Sequence, residues 1–309
     1  MLLESWDWFI ALVERGTFTR AADELQIPQQ TLSARLAALE RELGARLMTR
    51  TTPLSLTRAG EAFLSYAREQ QASRARMLRH VGEVTIGGFG ELKVGISNMR
   101  GRVLMPHALR QFHESLPGVR VKLIEGTNEE LVRLAERDEA DVVVAHFGDM
   151  HPGVSVKPLY KEEVVLAVAP DLLSQATGLE PAEAARRAEE EGLGLLSACP
   201  FLLEKADDIS GRIARVELQR AGIRAEGLVE SENMLTLLAL GQAGLGAVFC
   251  PTIMLDAAET ITSKLVRIRL SEAAHYEVGL GTPEGAEPWL PAQMLEDVLG
   301  ALFGIPSSR

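Results

Sequence analysis

The segment PGVRVKLIEGTNEELVRLAERDEADVVVAHF, residues 117–147, lies without a gap over AGIRAEGLVESENMLTLLALGQAGLGAVFCP, residues 221–251, at an offset of 104. Gly118 meets Gly222, Thr127 meets Ser231, Leu131 meets Leu235, Leu134 meets Leu238 and Val144 meets Val248. Each copy reads strand, helix, strand. Each follows another helix (about 102–115 and 209–221) and an earlier strand, ELKVGIS or LGLLSA. Alternation of this kind predicts two similar parallel α/β lobes. KLVRIRL, YEVGLGT and the helix PAQMLEDVLGALF remain after the second copy. They most simply return to complete the first lobe, which makes the second an insertion, with crossovers expected near 158–164 and 264–270.

Charge separates the start of the chain from the rest. Residues 1–84 hold 11 Arg, no Lys and 10 acids, a net of +1, whereas the whole chain is at −11. The acidic bulk therefore lies beyond residue 84, and the first segment uses only the cation best suited to phosphate and guanine edges. No run of eighteen apolar residues is present, so no membrane span is expected. MLLESWDWF lacks Lys and Arg and does not read as a secretory leader. Cys199 and Cys250 stand alone, without metal or disulfide spacing, and read as thiols of a reducing cytoplasm.

Ser5 is placed to cap a first helix ending at Gly16, and Thr17 to cap a second, FTRAADELQI, with Ala21, Ala22 and Leu25 inward. Pro28 suits the first turn of a third helix within IPQQTLSARLAALERELG, which stops at Gly44. Leu32, Leu36, Leu39 and Leu43 form its buried stripe. Gln30, Ala34, Ala37, Ala38 and Arg41 face the other way, a surface low in charge. ARLMTRTTPLSLT reads as two short strands around a turn. Thr57 can cap a long helix to about Val84, and Gly82, Gly87, Gly88 and Gly90 mark a linker. Helical pattern alone also fits an ordinary three-helix packing unit whose Gln and Ala are merely soluble.

The segment 9–64 resembles the LysR-type transcriptional regulators. The match runs through Ala21-Ala22, Leu25, Ser33, Leu39-Glu40, Leu43-Gly44, Leu47, Arg50, Leu56-Thr57 and Gly60. The remainder is similar to that family's effector domain in layout. The resemblance implies α/β architecture with an all-α/winged-helix N-terminal part: a winged helix-turn-helix DNA-binding domain (1–58), a linker or dimerisation helix and hinge (59–88), and a bilobal periplasmic-binding-protein-like effector domain (89–309). Lobe I takes 89–160 and 266–309, lobe II 161–265. It further implies a cytoplasmic homo-oligomer, a dimer of dimers, acting on double-stranded promoter DNA, with RNA polymerase a further partner. The third helix then enters the major groove, with Gln29, Gln30, Thr31 and Ser33 toward base edges. Thr19, Arg20 and Arg35 are expected at phosphates, and Arg50 on the wing at phosphate or a narrow minor groove. Two positions depart from the family. Ala34 stands where Arg or another polar residue is common, and the wing reads Leu47-Met48-Thr49-Arg50 where Leu-Phe-x-Arg is usual. Gln29 and Gln30 are accordingly expected to carry more of the readout.

Parallel lobes leave a cleft at the carboxyl ends of their strands. Ser97, Asn98, Arg100, Thr127, Asn128, His146 and Ser231 are expected there, with Phe147, Phe201 and Phe249 as apolar candidates. Thr127 and Ser231 are expected as matching helix caps, and helix N-termini favour a small anionic metabolite. The alternative is that these are only caps and turn residues. No cofactor or metal is expected: GGFGEL and GQAGLG lack the nucleotide-loop setting, and His107, His113, His146 and His151 lack ligand spacing. No nucleophile elbow is found, so an enzyme on this fold is disfavoured. A bilobal small-molecule-binding protein without a transcriptional role is the alternative function, one that leaves residues 1–84 unexplained.

Overall fold

The computed structural model describes residues 4–49, 54–86, 90–148, 151–257, 262, 264–285 and 289–305. The chain divides into two compact units, one of Met1–Gly90 with Arg137–Glu139, the other of Glu91–Glu136 with Ala140–Arg309.

The first unit contains α1 (Glu4–Arg15), α2 (Phe18–Glu24), α3 (Gln29–Leu43), β1 (Met48–Thr49), β2 (Ser55–Leu56) and α4 (Arg58–Ile86). Helix α1 begins at Glu4, so Ser5 lies inside it instead of capping it. The Thr17 side chain accepts from the Arg20 amide and starts α2. Gln26 holds φ 52° in the turn before α3, and Pro28 is the residue before the first helical turn, not within it. Gly44, at φ 66°, closes α3 by donating to the Glu40 and Arg41 carbonyls. Phe9, Leu12, Ala21, Ala22, Leu32, Leu39, Met48 and Phe63 form the core. The two alanines let α2 approach its neighbours closely. Leu43 leaves the expected stripe and is 43% exposed, because α3 runs one turn past the core it packs on.

The β-hairpin is fixed to the helices by three devices. Glu40 Oε1 accepts from the Leu47 and Met48 amides at 2.8 and 3.3 Å. Thr57 Oγ1 donates to the Arg46 carbonyl at 2.6 Å and accepts from the Gly60 amide, capping α4. A Cβ on Gly60 would meet the Leu47 carbonyl oxygen at 1.9 Å, so only glycine allows this crossing. Gly82 lies within α4 and Gly90 opens the next strand, while Gly87 and Gly88 fall outside the described residues.

In the second unit β3 (Gly90–Ile96), α5 (Asn98–Ser115), β4 (Val119–Glu125), α6 (Asn128–Glu136) and β5 (Val142–Ala145) build the first lobe. The 15-residue β6 (Val154–Val168) crosses to the second. There follow α7 (Pro170–Thr177), α8 (Pro181–Glu191), β7 (Phe201–Leu203), α9 (Ile209–Arg220), β8 (Val229–Glu230), α10 (Met234–Gln242), β9 (Ala247–Pro251), α11 (Thr252–Ala257) and β10 (Val266–Arg269). β11 (His275–Pro283) and the C-terminal helix Leu290–Leu302 return.

The strand order is β4-β3-β5-β11-β6-β9-β7-β8, with β10 also on β6. β3–β5, β7–β8 and β7–β9 are parallel, while β6, β10 and β11 make antiparallel pairs, so the sheet is mixed. β6 pairs β11 over residues 154–163 and β9 over 164–167. One strand therefore belongs to both lobes. LGLLSA is not a strand: Leu193–Leu196 form a 3-10 turn, and the strand starts after Pro200, at Phe201. In the second repeat copy the leading strand shrinks to Val229–Glu230.

Candidate functional site

On α3, Gln29, Gln30, Ser33 and Ala34 are exposed and Thr31 is half-buried. Residues 30, 33, 34 and 37 share one face of a helix, opposite Leu32 and Leu39. Thr19 and Arg20 are exposed at the start of α2, where unpaired amides also open. Arg35, expected at a phosphate, rests on α1 through its guanidinium. Its guanidinium carbon sits 3.6 Å from the Trp8 ring centroid, three residues after Leu32 and on the α1-facing side. Arg50 lies outside the described residues.

A cleft of about 470 Å³ opens in the second unit, within the usual range for small ligands. The first turns of α5 and α6 form one side of its lining, and the loop after β7 with the starts of α9 and α10 forms another. Ser97 caps α5 by accepting from the Arg100 amide at 3.3 Å. Thr127 and Glu130 cap α6 reciprocally: the Thr127 amide donates to Glu130 Oε2 at 2.8 Å, and Thr127 Oγ1 accepts from the Glu130 amide. Arg100 is 3% exposed. It donates to Tyr276 Oη at 3.2 Å and to Ser97 Oγ at 3.4 Å, while its Nε has no partner. Six carboxylates, from Glu125, Glu129, Glu204, Asp207, Asp208 and Glu232, line the cleft against three cations, Arg100, Arg102 and Lys205.

Glu204 is the buried acid of that set, 8% exposed. Gly211 creates its place: a Cβ there would lie 2.0 Å from the Lys205 carbonyl oxygen, so the β7 loop can fold against α9. Ser210 Oγ then contacts Glu204 Oε2, and Asp208 Oδ1 at 2.9 Å. Burial, followed by the charge of Asp208, pushes the Glu204 carboxyl up to about 8.

The cleft gathers Ser97, Asn98, Arg100, Thr127 and Asn128. Asn128 is largely committed to the fold, because its amide clamps the backbone of His146 at both N–H and C=O. His146 and Phe147 line a separate depression with Val156 and Ile213. Phe201 and Phe249 are not cleft walls. They pack on each other at 6.0 Å in the core, because their strands point these side chains inward. Ser231 is not the matching cap: Asn233, two residues further on, accepts from the Leu235 and Thr236 amides, and the Ser231 side chain accepts from the Asn233 amide. Sequence reading missed Glu204, Asp208, Asn233 and Tyr276. Of these Asp208 and Asn233, N-cap residues before helical runs, carry a local signal.

Both thiols are buried. Burial pushes Cys199 up to about 11 and raises Cys250 as well, so neither is a thiolate at neutral pH. Among the described residues no group of His, Cys, Asp and Glu is arranged to hold a metal ion, and no helix is long and apolar enough to cross a membrane.

A capped helix pair with an exposed polar recognition face, joined in one chain to a bilobal cleft, defines a class: the ligand-responsive transcriptional regulator. Residues 3–61 match the model of the bacterial regulatory helix-turn-helix proteins of the lysR family, and residues 87–303 match the LysR substrate binding domain. The chain belongs to the LysR family. It is 28% identical over 263 residues, 82% of this chain and 81% of the relative, to the uncharacterised HTH-type transcriptional regulator YcgK of Bacillus subtilis. It is 35% identical over 154 residues to the SDS degradation transcriptional activation protein of a Pseudomonas species, spanning about half of each chain (49% and 50%). The crystal structure of full-length CbnR complexed with its target DNA shares the fold, with a TM-score of 0.61 and 23% identity over 97% of this chain and 99% of that one.

Proposed function

We propose that this regulator binds promoter DNA as a homo-oligomer in the cytoplasm, reads bases through α3, and changes state when a small metabolite occupies the interlobe cleft. It has no catalytic role of its own. The observation that carries the reading is the face of α3: two glutamines, a serine and small alanines, exposed and flanked by Arg20. Gln pairs with adenine N6/N7, and alanine admits thymine methyls. Arg20 and the amides opening α2 suit phosphates, and Thr31 borders the same face. Residues 1–58 act on DNA, 59–88 pair chains, and 89–309 sense the ligand. Pairing through α4 is supported by Tyr66 and Met77, 43% and 53% exposed on that helix. RNA polymerase is a further partner of the bound oligomer.

Gel shift on a promoter fragment carrying an inverted repeat tests the reading at low salt, where phosphate contacts are strongest. Wild type binds it in preference to random DNA. Gln30→Ala reduces that preference by about 1–3 kcal/mol, the value of one bidentate base contact, with random binding unchanged. Equal loss on both DNAs would remove the assignment of Gln30 to base readout.

A further inference from the structure

We infer that the ligand of the cleft is a zwitterion: its anionic end meets Arg100, Ser97 and the first turns of α5 and α6, and a protonated nitrogen meets the Glu204–Asp208 pair. The inference rests on the interlobe cleft being the ligand site. Two independent features point the same way from opposite sides of that cleft.

On the first side, Arg100 is 3% exposed and its Nε is unpartnered. A buried guanidinium that lines the cleft, next to two helix N-termini, suits an anion. On the other side the surroundings are wrong for a simple anion. Four carboxylates stand there, from Glu204, Asp207, Asp208 and Glu232, and the one cation beside them, Lys205, is already paired with Glu232. The buried member of the four, Glu204, sits against Asp208 through Ser210.

Ser210 Oγ shows what that pair lacks. A hydroxyl has one hydrogen and here touches two carboxyl oxygens. It can donate to one of them only, so the other contact is a hydrogen bond when that carboxyl carries a proton. Asp208 Oδ1 already accepts from the Ser210 amide at 3.1 Å as the cap of α9. The proton that completes the second contact therefore resides on Glu204. The charged and titratable groups acting on Glu204 are Asp208 from the α9 loop and Arg100 from α5. Cys250 of β9 is also near, and stays a neutral thiol. A ligand ammonium supplies the positive charge that the proton now supplies. It binds the Glu204 carboxylate and sends the proton to solvent. Atoms balance: one N–H···O contact replaces one O–H bond, and one proton is released.

The test uses the full chain. Three series are screened by thermal shift: the twenty standard L-amino acids with ornithine, the same skeletons without the amino group, and the same without the carboxylate. The strongest ligand is titrated calorimetrically at pH 7 in phosphate and in Tris, which counts protons. Saturable stabilisation is expected from the amino-acid series, with both truncated series at least tenfold weaker and release approaching one proton. Glu204→Gln should weaken the amino acid at least tenfold and abolish the release. If that variant gives no cooperative melt, the truncated series and the wild-type proton count decide. Carboxylates binding as tightly as amino acids, with no proton released, overturn the cation subsite and leave the cleft standing. So does a lack of saturable shift from any series. A ligand weakened by neither Glu204→Gln nor Thr127→Ala lies elsewhere, and removes the cleft reading itself.

Discussion

Single residues carry constraints that their neighbours cannot absorb. Gly60 is the clearest case, since its missing side chain is where the Leu47 carbonyl passes. Gly60→Ala should cost about 1–3 kcal/mol, the range for a forced overpacking. Denaturation followed through Trp6 and Trp8, both in the first unit, checks it. Gln26 is the converse: a long side chain at φ 52°. Gln26→Gly should stabilise the same transition by roughly 0.5–1 kcal/mol by releasing left-handed strain, net of the entropy glycine adds to the unfolded chain. A loss of stability would mean the Gln26 side chain does more than occupy a turn. Gly60 could be singled out from sequence as part of a resemblance, but its reason lies in a contact 13 residues away. Gln26 gave no signal, because nothing in IPQQ or its approach demands an αL residue.

Elements show where periodicity suffices and where it does not. The stripe of α3 was legible over Leu32 and Leu39, and failed at Leu43, because a helical repeat does not report where the opposing core ends. Glu40 explains another part of the same helix: one carboxylate oxygen holds both amides that open β1. Glu40→Ala leaves them without that acceptor and should cost about 1–3 kcal/mol. Glu40→Gln, which keeps a carbonyl oxygen, should cost less, and comparing their denaturation midpoints separates the two. The repeat located both lobes, yet not the caps within them. Thr127 and Ser231 align, but the second helix is capped two residues later, by Asn233, because Asn there can bond two amides at once. Phe201 and Phe249 failed as cleft walls for a similar reason. Strand ends were legible, but which face of a short strand meets the cleft depends on its partners. Glu204 stood at a strand end and was invisible as a site, because its surroundings come from α5 and from Ser210.

At the scale of the whole molecule the buried acids set a pH dependence. Glu204 titrates near 4.5 when unfolded and about 8 when folded, so between these values the folded chain holds the extra proton. Stability tied to it is complete below about pH 4.5 and falls as pH rises to 8. Glu162, also raised by burial, works in the same direction. The second unit should therefore melt at progressively lower temperature from pH 5 to pH 8, and Glu204→Gln should flatten that slope. An unchanged slope in the variant would place the titration elsewhere. The long strand β6 has a mechanical consequence on this scale. Its first ten residues are sewn to one set of neighbours and its last few to another, without a break in the backbone. The lobes are thus joined by a leaf spring, not a pivot pin. Any closure around a ligand would store elastic work in that spring, with its twist and curvature as coordinates. A substitution that stiffens or softens β6 between Leu159 and Val164 would retune ligand sensitivity without touching the ligand.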